Sequence, residues 1–577
     1  MRTVSYLSDV HGPRLLGTPN YFNAVEWLQG ELEAYGIDTV YTESFDDGHQ
    51  GWQVIDHQLS VTSPTRFAVR GYPLAYSAGT DGQQEGDVVI IDQLEDLRDL
   101  TTALVGKVVL ISSSYQPNHS LEGEVTRRLS ETDRLAISAN PDPNDVQAGY
   151  HGRRSTTDVF DYREKRREER QEILQFAADQ GVIALVEASS APYGVLHADG
   201  NTLLPSFDKV GDFKPLPSFV ISNESFGRIF RLSEQGFPVR LSLRSQVAYY
   251  EEPDYNVNLI AEIKGTDPLL TSDVIAVGAH LDSWHAGTGA VDNASNCAAL
   301  VEAFRVLAAL NVQPKRTIRL TLWGGEEQVF AGSRRYVEDS IGSFATGFAQ
   351  PGNQDHSIYL NLDNGAGKVR GVYLMGNRDI RPYFEAYLQP FPESNTLTLQ
   401  YANQTDHELF DYHNVPAFQF IQDPLDYIPM IHHTDLDVYE YVPRQDQVYN
   451  AQLVAYLLMQ LADERERMPR KRYNHPVASR MGNTRFYLPG YASSERVYLI
   501  GSFNEWAMFS TPMYRTDGGW ETYLELDPGK HYYKFIVDGD WTSDPTVPAE
   551  KLQRDGKGHG GLSVIYVGDQ EQESSDK

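Results

Sequence analysis

The chain runs to 577 residues, too long for one hydrophobic core, and its 41% apolar content is that of an ordinary globular protein. A formal net charge of −31 argues against nucleic acid and anionic membranes as partners, and suits a salty medium in which self-repulsion is screened. No run of about 18 apolar residues is present to span a membrane, and a single cysteine, Cys297, allows no intramolecular disulfide.

The opening stretch MRTVSYLSDVHGPRL has no apolar segment of the signal-peptide kind. Tyr21–Tyr35 then predicts a helix through the spacing of Phe22, Val25, Leu28 and Leu32, and Thr39–Tyr41 predicts a short strand. From about 58 to 250 the pattern changes to short strands punctuated by Gly and Pro: DVVIID, GKVVLIS, GVIALVEAS, PSFVIS and VRLSLRS. The charge run Arg163–Arg170 within it reads as a solvated helix face rather than a binding patch. The first sheet resumes after Asn256 with VNLIAEI.

Four apolar runs follow. Val274–Gly278 leads to His280, Ile318–Trp323 to Glu326 and Glu327, Ile358–Leu362 to Asp363, and Ala417–Ile421 to the loop carrying His432 and His433. Between the first two lies Asn293–Leu310, apolar at helical spacing and opened by Asp292. Strand, helix, strand in that order predicts an α/β fold with parallel strands. The carboxyl ends of such strands line one edge, where ligands bind.

Imidazoles and carboxylates gathered there suit zinc, with cobalt or manganese as substitutes. The candidates are His280, Asp292, Glu327, Asp363 and one of the His432–His433 pair, which spacing alone leaves open. Five ligands are one too many for a single tetrahedral zinc with an open position, and suit two metals roughly 3.5–4 Å apart. In that arrangement Asp292 bridges, His280 and Asp363 complete one metal, and Glu327 with a histidine completes the other. Neighbouring residues at a strand end point to opposite sides, so Glu326 turns toward the attacking water as general base and then general acid. Asp282 is placed to accept the other N–H of His280 and fix its tautomer. Taken singly, each has a plainer use: Asp292 could cap its helix, and His285, His407, His413 and His432 read as solvated loop histidines. Their conjunction at one sheet edge is what points to metal.

The stretches VGAHLDSWHAGTGAVDNASN, LTLWGGEEQVFAGSRRYV, YLNLDNGAG and HHTDLDVYE resemble the co-catalytic zinc aminopeptidases and carboxypeptidases of peptidase family M28. The resemblance implies two zinc ions held by His280, Asp292, Glu327, Asp363 and His433, the second histidine of the pair, with Glu326 as catalytic base. Asn293 stands where many relatives carry a second Asp. HGPRLLGTPNY resembles the family's opening motif, which an export segment usually precedes, so a secreted or periplasmic location is expected, with a cytoplasmic one left open. FIQDPLDYIPM resembles a loop lining the substrate pocket and implies a substrate contact from Tyr427. The segment 58–250 resembles a protease-associated domain, an insert expected to lid the active site and restrict it to chain ends.

Helix Asp446–Glu464 closes the peptidase domain, which is expected over 1–57 and 251–467. A basic, Pro-containing linker over 468–480 follows. The strands TRFYLPG, RVYLIGSF, WETYLEL, HYYKFIVDG and LSVIYVG then predict an all-β, immunoglobulin-like sandwich over 481–568 and a disordered polar tail over 569–577. GSFNEW and DPGKHYYKFIVDGDWTSDP resemble glycogen-binding modules of the isoamylase N-terminal and AMP-kinase β-subunit type. That resemblance implies sugar stacking on Trp506 and Trp541 and a polar sugar contact from Lys534, hence a polysaccharide partner. A sugar-binding Asn expected near the last strand is replaced by Leu562. The other use of the tryptophans is to pack the module or dock it on the peptidase.

The leading expectation is a zinc exopeptidase acting at the N-terminus of peptides, because an acid-rich site suits a substrate's free amine and Arg334 and Arg335 are expected to face solvent. A dipeptidase or carboxypeptidase on the same fold, a glutaminyl cyclase, and a glycan-binding protein with an idle peptidase domain are the alternatives.

Overall fold

The computed structural model describes residues 1–45, 50–100, 103–117, 128–140, 172–199, 216–251, 255–328, 330–402, 404–473, 475–553 and 561–568. Its first sheet has eight strands. At the centre Val274–His280 lies parallel to both Thr317–Trp323 and His356–Asn361, and Ala417–Gln422 continues the parallel set beyond the latter. Val257–Ile263 joins antiparallel on one side, with Thr39–Ser44 outside it, while Val369–Tyr373 and Thr396–Thr398 complete the other side.

The central strands are buried on both faces, which is why they read as unbroken apolar runs. Along Val274–His280, Ile275, Val277 and Ala279 enter one core with Leu28, Leu300, Phe304 and Leu457 from the covering helices Pro19–Ala34, Ser295–Ala309 and Arg444–Asp463. Val274 and Ala276 enter the opposite core with Trp323, Tyr336, Tyr359 and Phe410, as a side-chain period of two requires.

The predicted helix after Asp292 starts later than its apolar pattern suggests, at Ser295. Asp292 (φ −117°, ψ 89°) and Asn293 (φ −135°, ψ 24°) are not helical. The N–H groups of Val291 and Asp292 turn to the Asp437 carboxylate (2.6 and 3.4 Å), and the Asn293 amide donates to the Leu362 carbonyl (3.1 Å). Asp292 is therefore released from any capping role and faces the sheet edge.

A second eight-stranded sheet contains the five short strands predicted between 58 and 250. It begins earlier than the expected boundary, because Gly51–Ser63 pairs along Arg240–Tyr250. Gln84–Ile91, Lys107–Ile111, Ala184–Ala188 and Ser218–Ile221 run parallel in its middle. Arg163–Arg170 lies outside the described residues. The two sheets share apolar contacts: Leu15 and Trp284 from the first unit pack with Trp52, Leu74, Tyr76 and Leu216 of the second.

The carboxy-terminal part forms a three-stranded and a four-stranded sheet around Phe486, Leu499, Trp520 and Phe535. The expected disordered tail lies outside the described residues. The start of the segment expected as a linker, residues 468–471, is strapped to the peptidase unit. Met468 is buried, Arg470 donates to the carbonyls of Asn414 (2.7 Å) and Asn353, and the buried Lys471 ammonium pairs with Asp411. A buried ammonium needs such a partner to remain charged, so this stretch is fixed in place. No described helix is long and apolar enough to cross a membrane.

Candidate metal centre

The carboxyl ends of the parallel strands converge as their order predicts. His280 ends its strand, Asp292 lies within the wide turn Ala290–Ala294, Glu327 lies just beyond Thr317–Trp323, Asp363 just beyond His356–Asn361, and His433 in the loop after Ala417–Gln422. His280 Nε2 stands 3.1 Å from Asp292 Oδ1 and 3.2 Å from Asp363 Oδ1. His433 Nε2 stands 3.0 Å from Glu327 Oε2 and 3.8 Å from Asp292 Oδ2. The two oxygens of Asp292 thus face two separate half-sites. His432 stacks on His433 with ring centroids 3.6 Å apart. It forms a further close group with His433 and Asp292.

The centre is buried and carboxylate-rich. Burial pushes Glu327 up to about 7, with Asp292 adding to the rise against the pull of His433. Glu326 is raised well above the usual carboxylate range by burial, then by Asp363 and Asp406. Burial also acts on Asp292, but its hydrogen bond to His280 and the neighbouring histidines prevail and hold it below its ordinary value. Burial disfavours the imidazolium of His280 and of His433, yet the surrounding carboxylates raise both well above the ordinary value. Among the described residues Glu327 Oε1 is buried with no hydrogen-bond partner. Mutually repelling carboxylates, imidazole nitrogens aimed among them and an orphaned carboxylate oxygen are what a cation-binding site requires.

Asp282 has a wider task than its position predicts. Its backbone carbonyl lies 3.1 Å from His280 Nδ1 and its carboxylate 3.5 Å from the same atom. The two carboxylate oxygens accept the N–H groups of Glu326 and Glu327, each at 3.2 Å. One side chain therefore sets both the His280 ring and the Glu–Glu turn. Tyr427 is buried against Ala366 and Ile431, with Asp292 as its polar neighbour and its phenol raised well above the ordinary value by burial, then by Asp292 and other carboxylates.

Three groups have no local signal in the sequence. Arg14 is fully buried and donates to the carbonyls of Leu7 (2.8 Å), Leu281 (2.7 Å), Thr288 (3.0 Å) and Gly289 (2.8 Å), stapling the loop between His280 and Asp292. Asp437 orders the Val291–Asp292 turn, and burial pushes it up to about 8. Asp406, also pushed up to about 8 by burial, accepts the Ser333 hydroxyl (2.5 Å) close behind Glu326. The loop histidines expected in solvent are mostly not there: His285, His407 and His413 are buried. Trp52 and Tyr72 enclose His285, and Phe344 and Phe509 enclose His413. Burial lowers both to about 4.

In the carboxy-terminal unit Trp506 and Trp541 stack (centroids 6.4 Å, 21°), with Lys534 Nζ 5.8 Å from the Trp541 ring. Trp541 is only 7% exposed and Lys534 6%. Their cluster includes Tyr412 of the peptidase unit and Phe509, whose ring stacks on His413. Tyr498 donates to the Thr346 carbonyl (2.7 Å), and the Arg496 guanidinium lies over Phe348. Leu562 is fully buried.

With this geometry in view, residues 258–458 match the family model described as Peptidase family M28, and residues 489–566 match that of the glycogen recognition site of AMP-activated protein kinase. The chain carries a family M28 peptidase domain and an AMP-kinase-type module, and is a metallopeptidase by that domain. It is 23% identical to carboxypeptidase Q of Bos taurus over 469 residues, 81% of this chain and 86% of that one. Its fold is similar to that of a peptidase M28 precursor from Shewanella amazonensis SB2B (TM-score 0.55, 21% identity, 81% and 94% of the two chains). It is similar also to a zinc aminopeptidase from Bacillus subtilis (TM-score 0.50, 17% identity, 81% and 95%).

Proposed function

We propose that this metallopeptidase is an exopeptidase that hydrolyses the peptide bond at the N-terminus of peptides, with two zinc ions held by His280, Asp292, Glu327, Asp363 and His433. The observation that carries the reading is the division of Asp292, one oxygen toward His280 and the other toward His433. Zinc bound there would polarise the scissile carbonyl and lower the pKa of water.

The chain's own groups account for the proton transfers. Glu326 accepts a proton from the attacking water on its carboxylate and returns it to the departing amine nitrogen, general base becoming general acid. Burial beside Asp363 and Asp406 gives that carboxylate a raised proton affinity, suited to holding the proton between the two events. Asp282 fixes the Glu326 backbone through its amide. Tyr427, buried beside Asp292, is read as a contact to the reacting group.

Selectivity for the N-terminus rests on charge. Arg14, whose charge reaches Asp282 and Asp292, is engaged by four backbone carbonyls and cannot hold a substrate carboxylate. Arg334 and Arg335 are exposed, the latter paired with Asp339. The carboxylates gathered at the centre itself, Glu327 among them, suit a cationic α-amine. Aminoacyl-p-nitroanilides, N-blocked peptides and unblocked dipeptides, assayed with zinc and after chelation, test the reading. Chelator-sensitive release from unblocked N-termini is expected; turnover only of N-blocked substrates would establish a carboxypeptidase, and pyroglutamate formation a cyclase.

For the module, burial of Trp541 and Lys534 favours a brace that docks its aromatic face on the peptidase unit rather than an open sugar platform. The protease-associated-like sheet would form the wall opposite that edge. Glycogen pulldown of wild type and Trp506→Ala decides the module's use: retention lost in the variant would restore the sugar-binding role.

A further inference from the structure

His433 is fastened by residues far from the peptidase motifs. It adopts left-handed backbone (φ 58°), a conformation unfavourable for a residue with a Cβ that persists only where surroundings fix it. The second sheet's unit supplies that fixing. Ala198 N–H donates to the His433 carbonyl (3.1 Å), His197 bridges Thr434 in antiparallel fashion, and Asp435 N–H donates to the Leu196 carbonyl (3.0 Å). The Asp435 carboxylate accepts Leu196 N–H (2.8 Å) and pairs with Arg70.

The same segment places a carboxylate behind the imidazole. Asp199, itself buried, has Oδ2 3.6 Å from His433 Nδ1 and 4.0 Å from His197 Nε2. The His197 and His433 rings are parallel, 6.0 Å apart and 6° from coplanar orientation, and His197 Nδ1 is 3.2 Å from Ser190 Oγ. On the other half of the centre, His280 Nδ1 meets Asp282 oxygens. Each imidazole that offers Nε2 to the centre therefore has its Nδ1 faced by an aspartate, but one aspartate comes from the peptidase unit and the other from the second sheet's unit.

We propose that Asp199 is a positioning residue for the Glu327–His433 half of the metal centre, so that the unit containing the second sheet is a structural part of that centre rather than a detachable cover. This inference rests on the two-metal reading above. Asp199 is the acceptor facing the Nδ1–H of His433, which fixes the tautomer that leaves Nε2 as the metal-facing lone pair and raises its basicity, the role outer carboxylates have at histidine sites.

The test uses the full chain. Zinc affinity is measured by chelator competition for wild type, Asp199→Asn, Asp199→Ala and Asp199→Glu, alongside melting temperature and the visible spectrum of the cobalt(II)-loaded protein. One of two binding steps should weaken 10–100-fold in Asn and Ala variants, with a changed cobalt spectrum, partial recovery in Asp199→Glu and an unaltered melting temperature for the isosteric Asn variant. Wild type binding two ions while Asp199→Asn and Asp199→Ala keep both affinities and the cobalt spectrum would overturn this inference alone. Wild type that takes up neither zinc nor cobalt would overturn the two-metal reading and the inference with it.

Discussion

Asp282 Oδ1 accepts the backbone N–H of Glu326 at 3.2 Å, while Oδ2 holds the N–H of Glu327 at the same distance. A carboxylate can accept both; an amide of the same shape presents an NH2 to one of them. Asp282→Asn should therefore loosen the Glu–Glu turn together with the His280 ring, weakening zinc binding 10–100-fold and lowering kcat. Chelator competition checks the first effect, and unaltered zinc affinity would refute the role.

Glu326 lies outside the proposed ligand set, so removing its basicity should separate chemistry from metal binding. Glu326→Gln is expected to retain zinc while kcat falls 10²–10⁴-fold, the range for losing one positioned acid–base group. Metal analysis and initial rates on one preparation decide it; a variant with near wild-type kcat removes Glu326 from the mechanism.

Arg14 offers a stability prediction. Its guanidinium satisfies three carbonyls of the loop between His280 and Asp292, those of Leu281, Thr288 and Gly289, and ties them to the Leu7 carbonyl. Arg14→Met would keep apolar volume but orphan those acceptors, at a cost of about 3–5 kcal/mol given the price of unmade buried hydrogen bonds. Urea unfolding should show a clear fall in midpoint, and a midpoint within error of wild type would contradict the staple.

His413 gives the acid response a specific source. It is held neutral between Phe344 and Phe509, with its pKa lowered to about 4 against an ordinary 6.5. Between those values the unfolded chain binds more protons than the folded one, so stability present above pH 6.5 is lost as pH falls toward 4. At 1.36 kcal/mol per pH unit the loss from this residue is at most about 3 kcal/mol. His285 and His356, also lowered, add to the same slope. His413→Gln should flatten the fall of melting temperature between pH 7 and pH 4 relative to wild type; identical slopes would exclude the interface histidine as a contributor.

The sequence by itself determined which segments form the parallel strands and which groups stand at their ends, because strand period and apolar run length are local properties of the chain. It located His280, Asp292, Glu326, Glu327 and Asp363 for that reason, and the carboxy-terminal strands for the same one. Tertiary structure decided what chain distance hides. Asp199 lies more than two hundred residues from His433 and sits behind it only because the two loops pair along their backbones. Arg14 looks like an ordinary loop cation until four carbonyls close around it, and the start of the linker becomes a strap once Lys471 finds Asp411. Burial likewise turned solvated-looking histidines into neutral core groups and enclosed Trp541, since exposure belongs to packing between distant segments and leaves no periodic trace in the residues themselves.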